Sequence, residues 1–251
     1  MNSFNVWSCG GGVQSSAIAS MICRGRLPKP DMTIMVDTER EKSNVWEYVR
    51  GVLIPNLAKV GVEIIIVPKS EYAKVDLYHD DDSTLPLIPA YTGDNGRVPT
   101  YCSSQWKQRV VHRYLAKWMP SDSCRTWLGI SADELKRVRT SRYSWLHHCY
   151  PLVEAEFGLN YDRNDCNEEI KRAGWPPAPR SSCWMCPNQT SEEWAAVIPT
   201  DLAKARELEI ELQKRDPNVY LHRSRLPIDK VNLVTYQNSD RASGCSGQCN
   251  T

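Results

Sequence analysis

The sequence predicts an α/β fold built on a doubly wound, mostly parallel sheet. Three observations predict it. Short apolar runs at residues 4–7, 32–36 and 62–67 have the length and composition of buried parallel strands. Helical stretches beginning after Gly12 and at Asn44 separate them. The resulting β-α-β-α-β order, joined by right-handed crossovers, places helices on both faces of one sheet.

The first strand runs into Ser8-Cys9, then Gly10-Gly11-Gly12-Val13-Gln14-Ser15-Ser16, and then a small, apolar helix. Strand, glycine loop and helix bring bare backbone N–H groups to the positive end of a helix dipole, where an anion such as phosphate is stabilised. The three glycines permit close backbone approach, and Ser15 and Ser16 add hydroxyl donors. A plain flexible turn is the alternative. The second strand ends at Asp37-Thr38-Glu39-Arg40-Glu41. A carboxylate there suits the ribose or base of a nucleotide in a doubly wound sheet, and a helix N-cap is the plain alternative. A helix over 44–60 is expected to be interrupted by Pro55.

Residues 72–100 carry Asp80-Asp81-Asp82, three prolines and two glycines, with no sustained periodicity. So long an irregular stretch reads as a lid or mobile loop. A basic helix follows to about Trp118, opened by Cys102 and holding Lys107, Arg109, His112 and Arg113. Residues 124–130 read as a further strand. Lys136, Arg137, Arg139 and Arg142 place four cations in seven residues, either an anion clamp or a solvated basic helix. Residues 150–153 read as extended, 162–173 as a helix containing Cys166, and 175–180 as a stiff proline linker. Cys183-Trp184-Met185-Cys186-Pro187 is a tight thiol turn suited to zinc, an iron–sulfur cluster or a dithiol pair. An amphipathic helical region spans 192–212, and a small-residue tail carries Cys245 and Cys249.

Two regions are expected from this change of character. Residues 1–158 form the α/β domain, and residues 159–251 form a cysteine-bearing helical region packed on it, ending in a flexible thiol tail.

The 31 basic and 30 acidic residues leave a net charge of +1, which excludes a globally basic nucleic-acid binder but not a local basic groove. Nine Trp and eleven Tyr against two Phe suit a wet cleft or an interface. No apolar run approaches the ~20 residues of a membrane span. The N-terminus enters a strand without a signal-peptide core, so a cytoplasmic chain is expected. Ten cysteines in that setting point to metal, cluster or sulfur chemistry rather than disulfides. Cys9, Cys23, Cys124 and Cys149 read as small buried side chains.

Taken in order, these motifs resemble the PP-loop adenine nucleotide alpha-hydrolase superfamily, in its phosphoadenylyl-sulfate (PAPS) reductase-like branch. Gly10 to Ser15 resembles the pyrophosphate-binding loop. Val36-Asp37-Thr38-Glu39-Arg40-Glu41 is similar to the VDTGxE signature, with Glu39 in place of glycine. Cys102 to Lys107 resembles the CxxxxK segment, and Gly129-Ile130-Ser131 with Asp133, Glu134 and Arg137 resembles GIRxxESxR. Asp165-Cys166 and residues 179–194 resemble the branch's DC and SxCxxCP regions. The absence of a lysine after the glycines disfavours a P-loop NTPase.

The resemblance implies a Rossmann-like nucleotide domain with ATP or PAPS held by Ser8, Gly10, Gly11, Gly12, Gln14, Ser15, Ser16, Asp37, Thr38, Gly129 and Arg142. It implies Cys102, Cys166, Cys183 and Cys186 around a [4Fe–4S] cluster, with zinc as the alternative, and Cys245 or Cys249 able to replace Cys166. Lys107, Arg137 and the tail thiols Cys245 and Cys249 are the expected catalytic groups. The chemistry is reduction of activated sulfate or ATP-dependent sulfur transfer to a nucleic acid or small molecule, with a thiol reductant protein as a further partner and a homodimer left open. A non-catalytic nucleotide-binding or metal-stapled nucleic-acid module is the alternative. Three departures stand out: Gln14 replaces the loop's aspartate, Ser131 replaces the arginine of GIR, and the terminal ECGxH segment is absent. Any Mg²⁺ would then fall to Asp37 or Asp133.

Overall fold

The computed structural model describes residues 4–93, 96–118 and 124–233. In chain order it forms β1 (Phe4–Ser8), α1 (Val13–Cys23), β2 (Met32–Asp37) and α2 (Ser43–Tyr48). A π-helical turn (Val49–Leu53) continues α2 into α3 (Ile54–Lys59), followed by β3 (Ile64–Pro68) and α4 (Lys69–Tyr72). An irregular stretch with β4 (Tyr91–Thr92) leads to a second π-helical turn (Ser104–Gln108), α5 (Arg109–Trp118) and β5 (Cys124–Leu128). A 3-10 turn (Ala132–Arg137), β6 (Leu146–Cys149), α6 (Arg163–Arg172), α7 (Ser191–Ala195), α8 (Pro199–Arg215) and β7 (Val219–Tyr220) complete it. No described helix is long and apolar enough to cross a membrane.

The chain divides into two compact units interleaved in sequence. The first takes residues up to 39, 44–72 and 110–181; the second takes 40–43, 73–109 and those from 182 onward. The boundary expected at 158/159 falls inside the first unit.

In the first unit, five parallel strands lie in the order β3-β2-β1-β5-β6. From β1 the chain steps outward to β2 and β3, then crosses back to β5 and β6 on the other side. Right-handed crossovers in opposite directions put helices on opposite faces, which is the expected doubly wound arrangement. The strand order reverses at β1, with Ser8 beside Leu128 of β5, and this reversal opens a crevice at the carboxyl ends of the two strands. Helix α1 is buried at Val13 and at every residue from Ser15 to Ile22, so it belongs to the core on all sides rather than along one stripe. It packs along α6, whose Glu169 is fully buried and holds Arg24 at 2.9 Å and Arg26 at 2.5 Å. The α6 start is fixed by Asp162 and Asp165, each accepting the other's backbone N–H at 2.9 Å.

Pro55 does not interrupt its helix. The preceding π-helical turn changes the hydrogen-bond pattern before the proline, which then occupies the first turn of α3, where a missing N–H costs nothing. The edge strand is 146–149, while 150–153 is a turn. His147 and His148 mask the strand's composition, but the burial pattern Leu146 in, Cys149 in remains. The basic run after β5 is a 3-10 turn followed by extended chain rather than a helix.

The second unit has its own core of Ile88, Trp106, Met185, Trp194, Leu212, Leu221 and Ile228. The helical region expected at 192–212 breaks at Ile198, because Pro199 is tolerated at the start of α8 but not within a continuous helix. A capping box of Thr190 and Glu193 begins α7. Within α8, buried Glu209 accepts backbone N–H groups from Leu221 at 2.9 Å and Ile228 at 2.7 Å, tying the following chain to the helix. Burial pushes its carboxyl above the ordinary glutamate range even against those bonds and Arg206.

Candidate functional site

The glycine loop lies at the carboxyl end of β1, beside the crevice where the strand order reverses. Gly11 sits at φ +70, and a Cβ there would come within 3.0–3.1 Å of Val49, Met35 and Val45. Only glycine suits that position, for conformation and for space. Ser15 Oγ accepts the Gly10 N–H at 2.8 Å, so the first helical turn folds back and fixes the loop. Gly12 begins α1 without a side-chain cap, leaving the first N–H groups of an 11-residue helix directed outward. A Cβ on Gly12 would stand 3.0 Å from Ser181 Cβ, so the chain at Ser181 lines the loop. Cys9 is buried, and burial pushes its thiol up to about 11 despite the Gly11 N–H and Ser15 hydroxyl beside it. It is a packing residue in the loop, as its expected role had it.

Gln14 turns away from the loop. Its Nε2 donates to Glu134 Oε2 at 3.0 Å and to Ser131 Oγ at 3.2 Å. Glu134 Oε1 accepts from Arg137 Nη1 at 2.9 Å, and Arg137 Nε is buried with no partner among the described residues. A Cβ on Gly129 would meet Gln14 Cβ at 3.2 Å, so the end of β5 closes against α1. Ser8, Gly10, Gly11, Gly12, Gln14, Ser15, Gly129 and Arg137 thus gather around one corner of the first unit. Ser16 is buried, and its hydroxyl donates to Gly12 O at 2.9 Å, so it serves the helix start. Arg142 lies exposed on the extended chain leading to β6.

At the end of β2, Asp37 Oδ1 accepts the Glu39 N–H at 2.7 Å, and Thr38 is fully buried. Glu39 has φ +61, the left-handed conformation that glycine would adopt without strain. Its carboxylate accepts the Ser70 N–H at 2.9 Å and meets Lys69 at 3.5 Å. Burial works to raise this carboxyl, but Ser70 and Lys69 outweigh it and hold it below the ordinary range.

The second unit carries the thiol turn. Cys183 forms an isolated bridge with Glu41, and the Trp184 N–H donates to Arg40 O at 2.9 Å. Cys186 N–H closes onto Cys183 O at 3.1 Å. Glu41 is 1% exposed and accepts from Lys107 Nζ at 2.6 Å, while Lys107 is 38% exposed. Desolvation works against the Lys107 charge, but Glu41, Cys183 and Cys102 outweigh it and hold the ammonium above its ordinary value. Cys102 and Cys183 therefore share one cation. Arg40 lies 5.0 Å over the Trp106 ring and pairs with both oxygens of Asp76.

Cys166 belongs to the first unit. It is fully buried in the apolar core of the first unit, and burial pushes its thiol up to about 12, with Asp133 and Asp165 adding to the effect. A thiol so placed behaves as a small apolar side chain. Among the described residues no group of three or more His, Cys, Asp or Glu side chains is placed to hold a metal ion. Cys102, Cys183 and Cys186 are right in kind for an iron–sulfur or zinc site but are not gathered into one. Cys245 and Cys249 lie outside the described residues.

Glu134, Ser181 and Glu41 were not expected as site residues. Glu134 and Glu41 both lie inside the motifs that carry the resemblance. Ser181 carried no signal beyond its place before the thiol turn.

No protein-family model matches the chain, and no curated protein matches it by sequence. Among solved structures, the chain is similar to a U34-tRNA thiolase, NcsA from Methanococcus maripaludis with its [4Fe-4S] cluster. The identity is 13% and the TM-score 0.47, over 97% of this chain and 73% of that one. It is also similar to a phosphoadenylyl-sulfate (PAPS) reductase from Candida auris in a phosphate complex. There the identity is 16% and the TM-score 0.42, over 71% of this chain and 76% of that one.

Proposed function

We propose that the chain binds an adenine nucleotide through its phosphates at the glycine loop and works in sulfur chemistry as a PAPS reductase-like enzyme. One observation carries the reading: an uncapped helix N-terminus, built on Gly10-Gly11-Gly12, sits where the strand order reverses between β1 and β5. Arg137 is tied to the same corner through Glu134, which holds Gln14 of that helix.

In this reading the N–H groups of α1 and the Ser15 hydroxyl hold a phosphate or sulfophosphate, Arg137 neutralises it, and Asp37 faces the sugar or base with the buried Thr38 behind it. Gln14 brings no negative charge to the loop, because its amide is held by Glu134 and Ser131. The loop itself then sets no carboxylate against the phosphates, and the nearby Glu134 is taken up by Gln14 and Arg137. That favours a nucleotide held intact, such as PAPS, over one cleaved between phosphates. Reduction of activated sulfate is thus the first chemistry: a tail thiolate of Cys245 or Cys249 would attack the sulfur, displace the nucleotide as its bisphosphate and become a thiosulfonate, and a second thiol, from the other tail cysteine or a thiol reductant protein, would release sulfite as a disulfide forms. ATP-dependent sulfur transfer is the second. A [4Fe–4S] cluster, or zinc, on Cys102, Cys183 and Cys186 with a further ligand completes the proposal; a cluster would supply sulfur or electrons, whereas zinc, which has no redox chemistry, would only hold the thiolates in place. A non-catalytic nucleotide-binding module remains the alternative reading.

The test is incubation of the purified protein with labelled PAPS and, separately, labelled ATP. Sulfite release supports reduction, and AMP with pyrophosphate supports sulfur transfer. Saturable binding without product supports the non-catalytic module. Binding of neither nucleotide, or binding unaffected by Gly12→Val, sinks the site assignment.

A further inference from the structure

Apart from Arg137, which belongs to the nucleotide corner, the first unit carries a basic surface that the proposed nucleotide site does not use. The chain from Leu135 to Val153 contains no Asp or Glu but holds Lys136, Arg137, Arg139 and Arg142. The described part of α5 in this unit, from Val110 to Trp118, is likewise free of acids and holds Arg113 and Lys117. These two acid-free segments are joined by rings. His112 of α5 stacks on Tyr143 at 3.4 Å between centroids and meets Trp145 at 5.0 Å.

The path of the segment is set by topology. It leaves the carboxyl end of β5 and must reach the amino end of β6, which is parallel to β5, so it runs the length of the sheet at its β6 edge. Its upper part is pinned: the Tyr150 hydroxyl accepts the Arg139 N–H at 2.8 Å and donates to Arg139 O at 2.6 Å. Arg139 and Arg142 are exposed along it, and Tyr143 is 46% exposed.

At 100° per residue, Arg113 and Lys117 form one stripe of α5. His112 borders the stripe on one side, and Tyr114 with Trp118 borders it on the other. Tyr114 and Trp118 lie 6.3 Å apart, Lys117 Nζ lies 5.7 Å over the Trp118 ring, and Trp118 is 60% exposed. Cations interleaved with exposed flat rings, and no carboxylate among them, complement a polyanion that also presents rings. Of the acids that flank the segment in sequence, Glu134 is engaged by Arg137 and Gln14. Glu156 is engaged by Arg125, whose side chain shares a sheet face with its strand partner His147, while His148 points to the other face and meets Arg139 O.

We propose that this track along the β6 edge binds a single-stranded stretch of nucleic acid. Tyr143 and Trp118 stack on bases, and Lys117, Arg139 and Arg142 meet phosphates. This deepens the second of the two chemistries, ATP-dependent sulfur transfer, by naming a nucleic acid as the sulfur acceptor, and it rests on that reading only for the chemistry, not for the binding. A double helix suits the track less, because stacking requires unpaired bases.

The test is fluorescence anisotropy of labelled single-stranded RNA and DNA 20-mers and a double-stranded DNA control, with the full chain over a range of salt. Single strands are expected to bind more tightly than duplex. Tyr143→Ala and Trp118→Ala should each weaken binding roughly 5- to 150-fold, the range for loss of one base stack. Lys117→Gln and Arg139→Gln should each lower the salt slope by about 1. All four variants should keep the wild-type melting temperature within a few degrees and bind PAPS or ATP unchanged. That last arm separates failure of this surface from failure of the nucleotide site. Equal affinity for duplex, or single-strand binding untouched by Tyr143→Ala and Trp118→Ala, overturns the proposal. So does a concentration-dependent dimer that Tyr143→Ala dissolves, because the surface would then be a contact between copies.

Discussion

Gln14 and Glu134 are bound to each other across the switch point of the sheet: the Gln14 amide donates to the Glu134 carboxylate at 3.0 Å, and Glu134 in turn holds Arg137 at 2.9 Å. A carboxylate at position 14 would face Glu134 directly. Gln14→Glu is therefore expected to lose a hydrogen bond to a charged group, roughly 1.5–3 kcal/mol, with like-charge repulsion added. Urea denaturation checks this, and a wild-type midpoint would show that the amide does not fix the loop.

Glu39 occupies a left-handed backbone position and recovers part of that strain through Ser70 and Lys69. Glu39→Ala keeps the strain and loses both partners, so it should destabilise by roughly 1–2 kcal/mol. Glu39→Gly loses the partners but also the strain, and should fall closer to wild type. The order of the two in thermal melting is the readout; alanine above glycine refutes the account.

Gly11→Ala adds a methyl group where Val49, Met35 and Val45 already meet, in a conformation that alanine avoids. A cost of about 1–3 kcal/mol is expected from overpacking alone. Phosphate affinity should fall with it, measured by calorimetry with PAPS at a temperature where the variant remains folded.

His112 and His148 both lie below the ordinary histidine value of 6.5, the first through burial and the nearby Arg113, the second through burial against the opposing pull of Arg139 O. A folded-state value below the unfolded one means that the folded chain binds fewer protons. Stability from these groups is therefore complete above about pH 6.5 and declines as pH falls through and below it. The melting temperature should drop on acidification before the ordinary carboxylates titrate, and His112→Phe should flatten that limb. A limb unchanged in His112→Phe would assign it to other groups.

The cysteines divide by unit. Anaerobic reconstitution should yield a protein whose iron and sulfide content, or zinc content, falls in Cys183→Ser and Cys102→Ser and is unchanged in Cys166→Ala. Loss of metal in Cys166→Ala would restore that residue to the ligand set. Metal content unaffected by Cys183→Ser would remove the thiol turn from it.

The sequence by itself determined the alternation of strand and helix, the glycine loop and the acid at the end of β2. Those signals are local: apolar runs, glycines and terminal polar residues act within one turn or one strand. It did not reveal β6, because two histidines interrupt the apolar pattern and the strand exists through its pairing with β5. Nor did it reveal the course through Pro55, which depends on the π-helical turn before it. Tertiary structure alone decided that Gln14 faces Glu134, that Cys166 is buried in the core of the first unit, and that His112 meets Tyr143. Each of these joins residues 30 or more positions apart, and such contacts follow from how helices and loops close over the sheet, which no local spacing encodes.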